Sequence, residues 1–537
     1  MVFSAAQMET WDAIVVGGGH NGLVTAAYLA RAGQKVLVLE ARDRVGGAAV
    51  TEEPWPGFRV STAAYVVSLF RPEIVRDLDL PRHGYQLLSR DPSSFTPFPD
   101  GRHLLMGPDP ELNHREVSKF SARDAERLPV YEAMLERIAA AIEPTMLETP
   151  ADPFSRRPGD LLRLARIGWR FLRLGKDGPR ALEILTAPAR TILDRWFESE
   201  QLKSALATDA IIGAMASPST PGTAYVLLHH VMGECNGARG VWGYVKGGMG
   251  CLSEAIASAA RAAGAEIRTK SPVVKVPVKD GRATGVVLAD GTELEARRVV
   301  SNADATVTLL RLVGADHLPD EVANAVRGID YSSASLKINL ALSELPSFTA
   351  LPGHASGPQH RGTIHICPNV DYIEHAYDEA RAGKPSSSPV LECTIPSAVD
   401  PTVAPPGKHV MQMFVQYAPY RLAEGTWDER KEAFADRCLE LVEEVAPGFR
   451  KSVIGRQVLS PVDLERRFGL TGGNIFQGAM GLSQLFFMRP LPGYADYRTP
   501  IDGLYLCGAA THPGGGVMGA CGYNAAREIL RDVRRAG

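Results

Sequence analysis

The stretch from Val15 to Glu40, VVGGGHNGLVTAAYLARAGQKVLVLE, constrains the fold more than any other part of this 537-residue chain. An apolar run, Trp11 to Val16, reads as a buried strand and then breaks into Gly17, Gly19 and Gly22 at the G-x-G-x-x-G spacing. The first glycine permits a tight turn, the second lets a pyrophosphate approach the backbone, and the third lets the next helix pack close to the sheet. That helix is expected over Leu23 to Ala32, with Ala26, Ala27 and Ala30 toward the strands, a stop at Gly33 and free N–H groups aimed at an anion. A second strand, Val36 to Leu39, ends in Glu40, where a carboxylate can accept both ribose hydroxyls and would repel a 2′-phosphate. Strand, glycine turn, helix and acid together favour a dinucleotide site over a structural turn, with FAD and NAD both open at this point.

Two further glycine-rich loops bear on that choice. In ARDRVGGAAVTEE, Arg44 precedes the pair Gly46 and Gly47, a second set of backbone donors and a positive charge for the diphosphate of FAD. Near the C-terminus, IDGLYLCGAATHPGGGVMGACGYNAAREIL gives a short strand, a glycine-rich loop from Gly508 to Gly516 and a helix from about Val517 to Leu530. A helix start beside the pyrimidine edge of a flavin would favour its reduction. Between these ends, residues from GGMG at 247 to SNAD at 301 read as a helix, a strand at SPVVKV, turns at KDG and ADG, and a strand ending at Val300. The expected fold class is α/β: a discontinuous FAD-binding domain from 1–70, 241–305 and 486–537, and a substrate domain from 71–240 and 306–485.

Other functions are disfavoured. A net charge of −3 with 45% hydrophobic residues carries no nucleic-acid footprint. The seven cysteines form no C-x-x-C pair, so neither dithiol chemistry nor clustered metal ligation is expected. His229 and His230 are adjacent and would point about 100° apart on a helix, which favours a packed pair over a shared metal. No run is apolar enough to span a bilayer, and the short segment before Trp11 lacks a secretory or transit pattern, so a cytoplasmic protein is expected. Over 160–176, DLLRLARIGWRFLRLGK places Leu161, Leu164, Ile167, Phe171 and Leu174 at helical spacing among Arg163, Arg166, Arg170, Arg173 and Lys176. It reads either as a peripheral membrane contact or as a core-facing helix with snorkelling arginines.

GHNGLV, VGGAAVTEE, WFESE, ATDAIIGAMASP, YVLLHHVMG, LERRFGL, GGNIF and GLYLCGAATHPGGGVMGA follow one another along nearly the whole chain. In these motifs the sequence resembles the phytoene desaturase and carotenoid isomerase-like flavoproteins. The resemblance implies a Rossmann-type FAD-binding domain of the p-hydroxybenzoate hydroxylase-like, glutathione reductase 2 type, with an α+β substrate domain. It places FAD contacts on Gly17, Gly19, His20, Asn21, Gly22, Glu40, Ala41, Arg42, Gly46, Gly47, Ala48, Val273, Gly508, Ala509, Gly516 and Val517. Amine oxidases of the superfamily usually carry arginine where this chain has Ala48, and a Gly-Glu-Ala-Thr motif where it has CGAATHP, so the amine-oxidase reading loses ground.

The resemblance further implies an apolar, isoprenoid-like substrate, oxidised, reduced or isomerised at a C–C or C=C bond, with oxygen or a quinone as electron acceptor. Such bonds offer no acidic proton, so alignment and exclusion of water carry the reaction and no acid or base is assigned. His512 is a weak candidate, equally readable as a structural loop histidine. An FAD oxidase of amines or alcohols and a flavin-binding regulatory protein are the alternatives.

Overall fold

The computed structural model describes residues 10–536. The segment before Thr10, on which the expectation of no leader rests, lies outside them. A five-stranded parallel sheet is ordered Glu266–Arg268, Val36–Leu39, Ala13–Val16, Val299–Ser301, Leu504–Leu506. Its strands come from three distant parts of the chain; the inner runs Ala13–Val16 and Val36–Leu39 are buried throughout and so must be covered on both faces. On one side the helix His20–Arg31 packs against both Gly250–Ala262 and Ala520–Ala536. The short antiparallel strands around the KDG and ADG turns and the helical segment Thr306–Gly314 cover the other.

Three expectations shift. The last helix starts at Ala520 rather than Val517, because Val517 and Gly519 have φ of 57° and 71°, outside the helical region. Ile74, Leu78, Leu80 and Tyr85, expected on the substrate side, pack in the same core as Val15, Val38 and Ile256. Leu309, Leu312, Val322 and Val326 likewise pack with Ile14 and Leu37, so the nucleotide-binding body extends past 70 and past 305.

A seven-stranded sheet carries the other half, ordered Val453–Leu459, Ser335–Leu342, His409–Gln416, Val390–Thr394, Thr363–Ile366, Ser94–Pro97, His103–Met106. All neighbours are antiparallel except Thr363–Ile366 with Ser94–Pro97. Its two faces differ. Leu336, Ile338, Leu340, Met411, Met413, Val415, Leu391, Cys393, Ile364 and Ile366 share a core with Trp427, Phe434 and Val442 of the helix Trp427–Val445. The alternate residues Lys337, Phe414, Glu392 and His365 stand in register across four strands, and Asn339, Gln412, Thr394 and Thr363 form the next row. Side chains alternate between faces, so this sheet is apolar toward its helix and polar on the other side.

The amphipathic segment forms the helix Pro158–Arg173. Leu164, Ile167, Phe171 and Leu174 are half-buried on the side toward the protein. Leu161, which the spacing groups with those residues, instead faces outward with Leu162, Trp169 and Leu172, all exposed by 53 to 80%, in a second apolar stripe. Arg163 and Arg170 turn inward to Asp160 and Glu148, at 3.1 and 2.8 Å. No helix among the described residues is long and apolar enough to cross a membrane.

Candidate active site

A cavity of about 1090 Å³ runs from the carboxyl ends of the parallel strands to the polar face of the antiparallel sheet. It exceeds the roughly 300–1,000 Å³ of a single small-molecule site, as a space for cofactor plus substrate would. At one end lie Gly17, Gly19, His20, Asn21, Glu40, Ala41, Arg42, Gly46, Gly47, Ala48, Val273, Ala509, Gly516 and Val517. Gly17 holds a φ of +96°, which a side chain would strain, and a Cβ on Gly22 would fall 2.4 Å from the Gly17 carbonyl oxygen. Gly22 therefore does not line the cavity; it lets the helix His20–Arg31 start close beneath it. No side chain caps that helix at Gly19, so its first N–H groups remain available to a diphosphate.

Glu40 is only 6% exposed. The Gly18 N–H donates to its Oε2 at 2.7 Å and the Arg42 N–H to its Oε1 at 2.9 Å, which fixes the carboxylate and leaves lone pairs on both oxygens for ribose hydroxyls. Arg42 donates to Glu52 at 2.6 Å and lies over the Phe468 ring, 5.0 Å from its centroid. The second glycine loop joins the first through the Gly46 N–H, which donates to the Gly18 carbonyl at 2.8 Å.

Other expected residues stand elsewhere. Arg44 is not at the cavity: its side chain is exposed and paired with Asp43 at 3.0 Å, so Arg42, two residues earlier, is the arginine beside the loop. Gly508 packs under the site, where a Cβ would lie 2.4 Å from the Asn302 carbonyl oxygen. His512 is buried off the cavity against Phe486, with Nε2 bonded to the Thr145 carbonyl at 2.9 Å; burial lowers its pKa to about 4 and keeps it neutral. That is a structural histidine's environment.

Asn302 went unnoticed in the sequence. It follows the strand Val299–Ser301, packs against Gly17, Gly19 and Gly22, and lines the cavity. The signal was its place just past the carboxyl end of a central parallel strand, where α/β sheets bind ligands. Also missed were Tyr65, Arg90, Asp209, Lys337, His365 and Glu392, all lining the cavity's other end. The Tyr65 hydroxyl donates to Glu392 Oε2 at 2.9 Å, and its ring stacks on Phe414 at 5.8 Å. Lys337 Nζ donates to Asn339 Oδ1 at 2.9 Å and sits 4.9 Å from the Tyr65 ring centre. Burial drives the Lys337 pKa well below its ordinary value and raises the carboxyls of Asp209 to about 6 and Glu392 to about 8. His229 and His230 are both buried with rings 5.8 Å apart, and only His230 lines the cavity, held through Nδ1 by the Asp209 carbonyl at 2.8 Å.

The flavin containing amine oxidoreductase pattern matches residues 22–530, nearly the whole chain. The protein belongs to this family. Its cofactor is FAD, and the turn at Gly17, the uncapped helix and the fixed Glu40 carboxylate fit that nucleotide. The chain is 49% identical, over 98% of its length and 94% of the relative's, to pyridine nucleotide-disulfide oxidoreductase domain-containing protein 2 of Rattus norvegicus. It is 26% identical to the phytoene desaturase (lycopene-forming) of Pseudescherichia vulneris, over 94% of this chain and 96% of that one. A solved structure of putrescine oxidase bound to putrescine superposes with a TM-score of 0.62 at 15% identity, over 98% of this chain and 99% of the other, a likeness of fold. Despite the disulfide in the rat relative's name, all seven cysteines here are free.

Proposed function

We propose that this FAD-dependent oxidoreductase acts on a C–C or C=C bond of a largely apolar, isoprenoid-like substrate. One observation carries the reading: away from its mouth the cavity has an apolar wall, and the titratable groups facing that wall from the sheet are buried and desolvated. Lys337, His230 and His365 are all desolvated, with their pKa lowered, and Glu392 is tied to Tyr65. Leu135, Leu202, Ala205, Leu206, Leu227 and Val231 supply an apolar wall opposite the polar sheet face. Such a wall aligns a hydrocarbon chain and displaces water, the two contributions that oxidation of an unactivated C–H bond requires. The name of the 26%-identical relative, a desaturase acting on phytoene, supports the same class. Bound FAD supplies the two-electron acceptor. Reoxidation by oxygen or a quinone is part of the proposal, since the cysteines offer no dithiol route.

The exposed stripe of Leu161, Leu162, Trp169 and Leu172 supports delivery of such a substrate from a lipid surface. Arg166 and Arg173 flank it, the latter over the Trp169 ring at 4.6 Å, where they can meet anionic headgroups.

Anaerobic incubation of the purified holoprotein with fractionated lipid extracts tests the assignment. A fraction that bleaches the flavin and yields a product two hydrogens lighter is expected. Bleaching by simple amines or alcohols, with none by lipids, would overturn it.

A further inference from the structure

A hydrocarbon has no use for a charged group, yet the cavity holds one at its wall. Arg90 is 2% exposed. Its Nε donates to the Trp242 carbonyl at 2.9 Å and its Nη1 to Thr363 Oγ1 at 2.8 Å, bonds that lock the guanidinium in place. The Tyr244 ring covers it at 5.3 Å. Among the described residues no carboxylate lies within 4 Å of Arg90 and only Nε and Nη1 are hydrogen-bonded, whereas the other buried guanidiniums, Arg71 and Arg489, are held by ion pairs or carbonyls. A buried, permanently charged group without a counter-ion is costly, and a ligand anion removes that cost.

The surroundings favour the same ligand. His365 lines the cavity with Arg90 and has its Nδ1 unpartnered, while Tyr244, buried behind the cavity wall, covers the guanidinium from the protein side. Glu392, opposite His365 in the sheet register, is a carboxylic acid rather than a carboxylate near neutrality, so it can donate a hydrogen bond instead of repelling an anion. Asp209 is the one nearby acid that opposes an anion, and it lies beyond ion-pair distance of Arg90.

We propose that Arg90 anchors a carboxylate at one end of the substrate, with His365 and Glu392 completing the subsite, so that the substrate is an amphiphile whose apolar chain extends toward the flavin end. The substrate class rests on the reading given under Proposed function, but the anchor can be tested by binding alone.

Decanoate, decanol and decylamine, titrated into oxidised holoprotein and followed by the shift in flavin absorbance and by calorimetry, share a chain and differ only in the terminal group. Decanoate is expected to bind at least tenfold more tightly than decanol, and decylamine more weakly than either. Arg90→Met should erase the preference at unchanged FAD content, and Arg90→Lys should restore part of it. Equal binding of the acid and the alcohol, tighter binding of the amine, or an Arg90→Met protein that keeps the preference would each overturn the anchor. Because the wild-type comparison needs no turnover and no variant, it stands even if Arg90→Met does not fold. A failure of C–H oxidation with the preference intact would refute only the assigned reaction.

Discussion

Replacing Glu40 by glutamine separates what its charge does from what its shape does. The carboxylate accepts the Gly18 N–H at 2.7 Å and the Arg42 N–H at 2.9 Å, one on each oxygen. Glutamine presents one oxygen and one NH₂ group, so one of these two backbone N–H groups faces a donor and loses its acceptor. A hydrogen bond to a charged group contributes about 1.5–3 kcal/mol, and orphaning a buried donor costs about 1–3 kcal/mol. Ribose hydroxyls would then meet one acceptor in place of two. A loss of about 1.4–3 kcal/mol in FAD binding corresponds to a roughly 10- to 150-fold rise in Kd. The assay is FAD release on dilution of holoprotein, followed by recovery of flavin fluorescence, for wild type, Glu40→Gln and Glu40→Ala. Both variants should release FAD at concentrations where wild type retains it. Unchanged Kd in Glu40→Gln would refute the role given to the carboxylate, and release of a nucleotide other than FAD from denatured wild type would refute the site.

Three more outcomes are expected. Adding a Cβ at Gly22, 2.4 Å from the Gly17 carbonyl oxygen, should force the helix off the strand, so Gly22→Ala should purify with little bound FAD, whereas Gly168→Ala, where a Cβ meets no atom within 4 Å and the backbone is helical, should keep its full complement. Glu392 ionises near pH 4.5 in the unfolded chain and only near 8 in the fold, so its contribution to stability, present at low pH, is lost as pH rises toward 8; melting temperatures should show a smaller alkaline decline in Glu392→Gln, and parallel curves would contradict this. Sedimentation with anionic liposomes should require the outward stripe, so Trp169→Ser with Leu172→Ser should lose pelleting that Arg163→Gln retains, and equal pelleting of all three proteins would leave the helix with no lipid role.

What could be read from the sequence was what the chain decides locally. The turn at Gly17, the short helix start and Glu40 lie within one βαβ stretch, so spacing alone places them together. Arg44 misled because adjacency to a glycine pair says nothing about direction: Asp43 holds it in solvent, while Arg42 turns inward to Glu52 and Phe468. The helix Pro158–Arg173 misled differently, since it carries two apolar stripes and spacing selects the one that packs inward.

The polar end of the cavity was the hardest to read, although its pattern is present in the chain. Ser335, Lys337 and Asn339 alternate with Leu336, Ile338 and Leu340, and Thr363 and His365 with Ile364 and Ile366. Period-two alternation ordinarily means one face in the core and one in water. Here both faces are buried, because the helices from 122 to 231 roof the polar side and enclose a cavity instead of solvent. Only the pairing of four strands drawn from between residues 335 and 416, Lys337 with Phe414, Phe414 with Glu392 and Glu392 with His365, gathers these groups into one row. An enclosed polar row is costly to maintain unless a ligand satisfies it. The same fold that supplies a greasy wall for a hydrocarbon chain therefore supplies, on the opposite wall, the groups that would tell one end of that chain from the other.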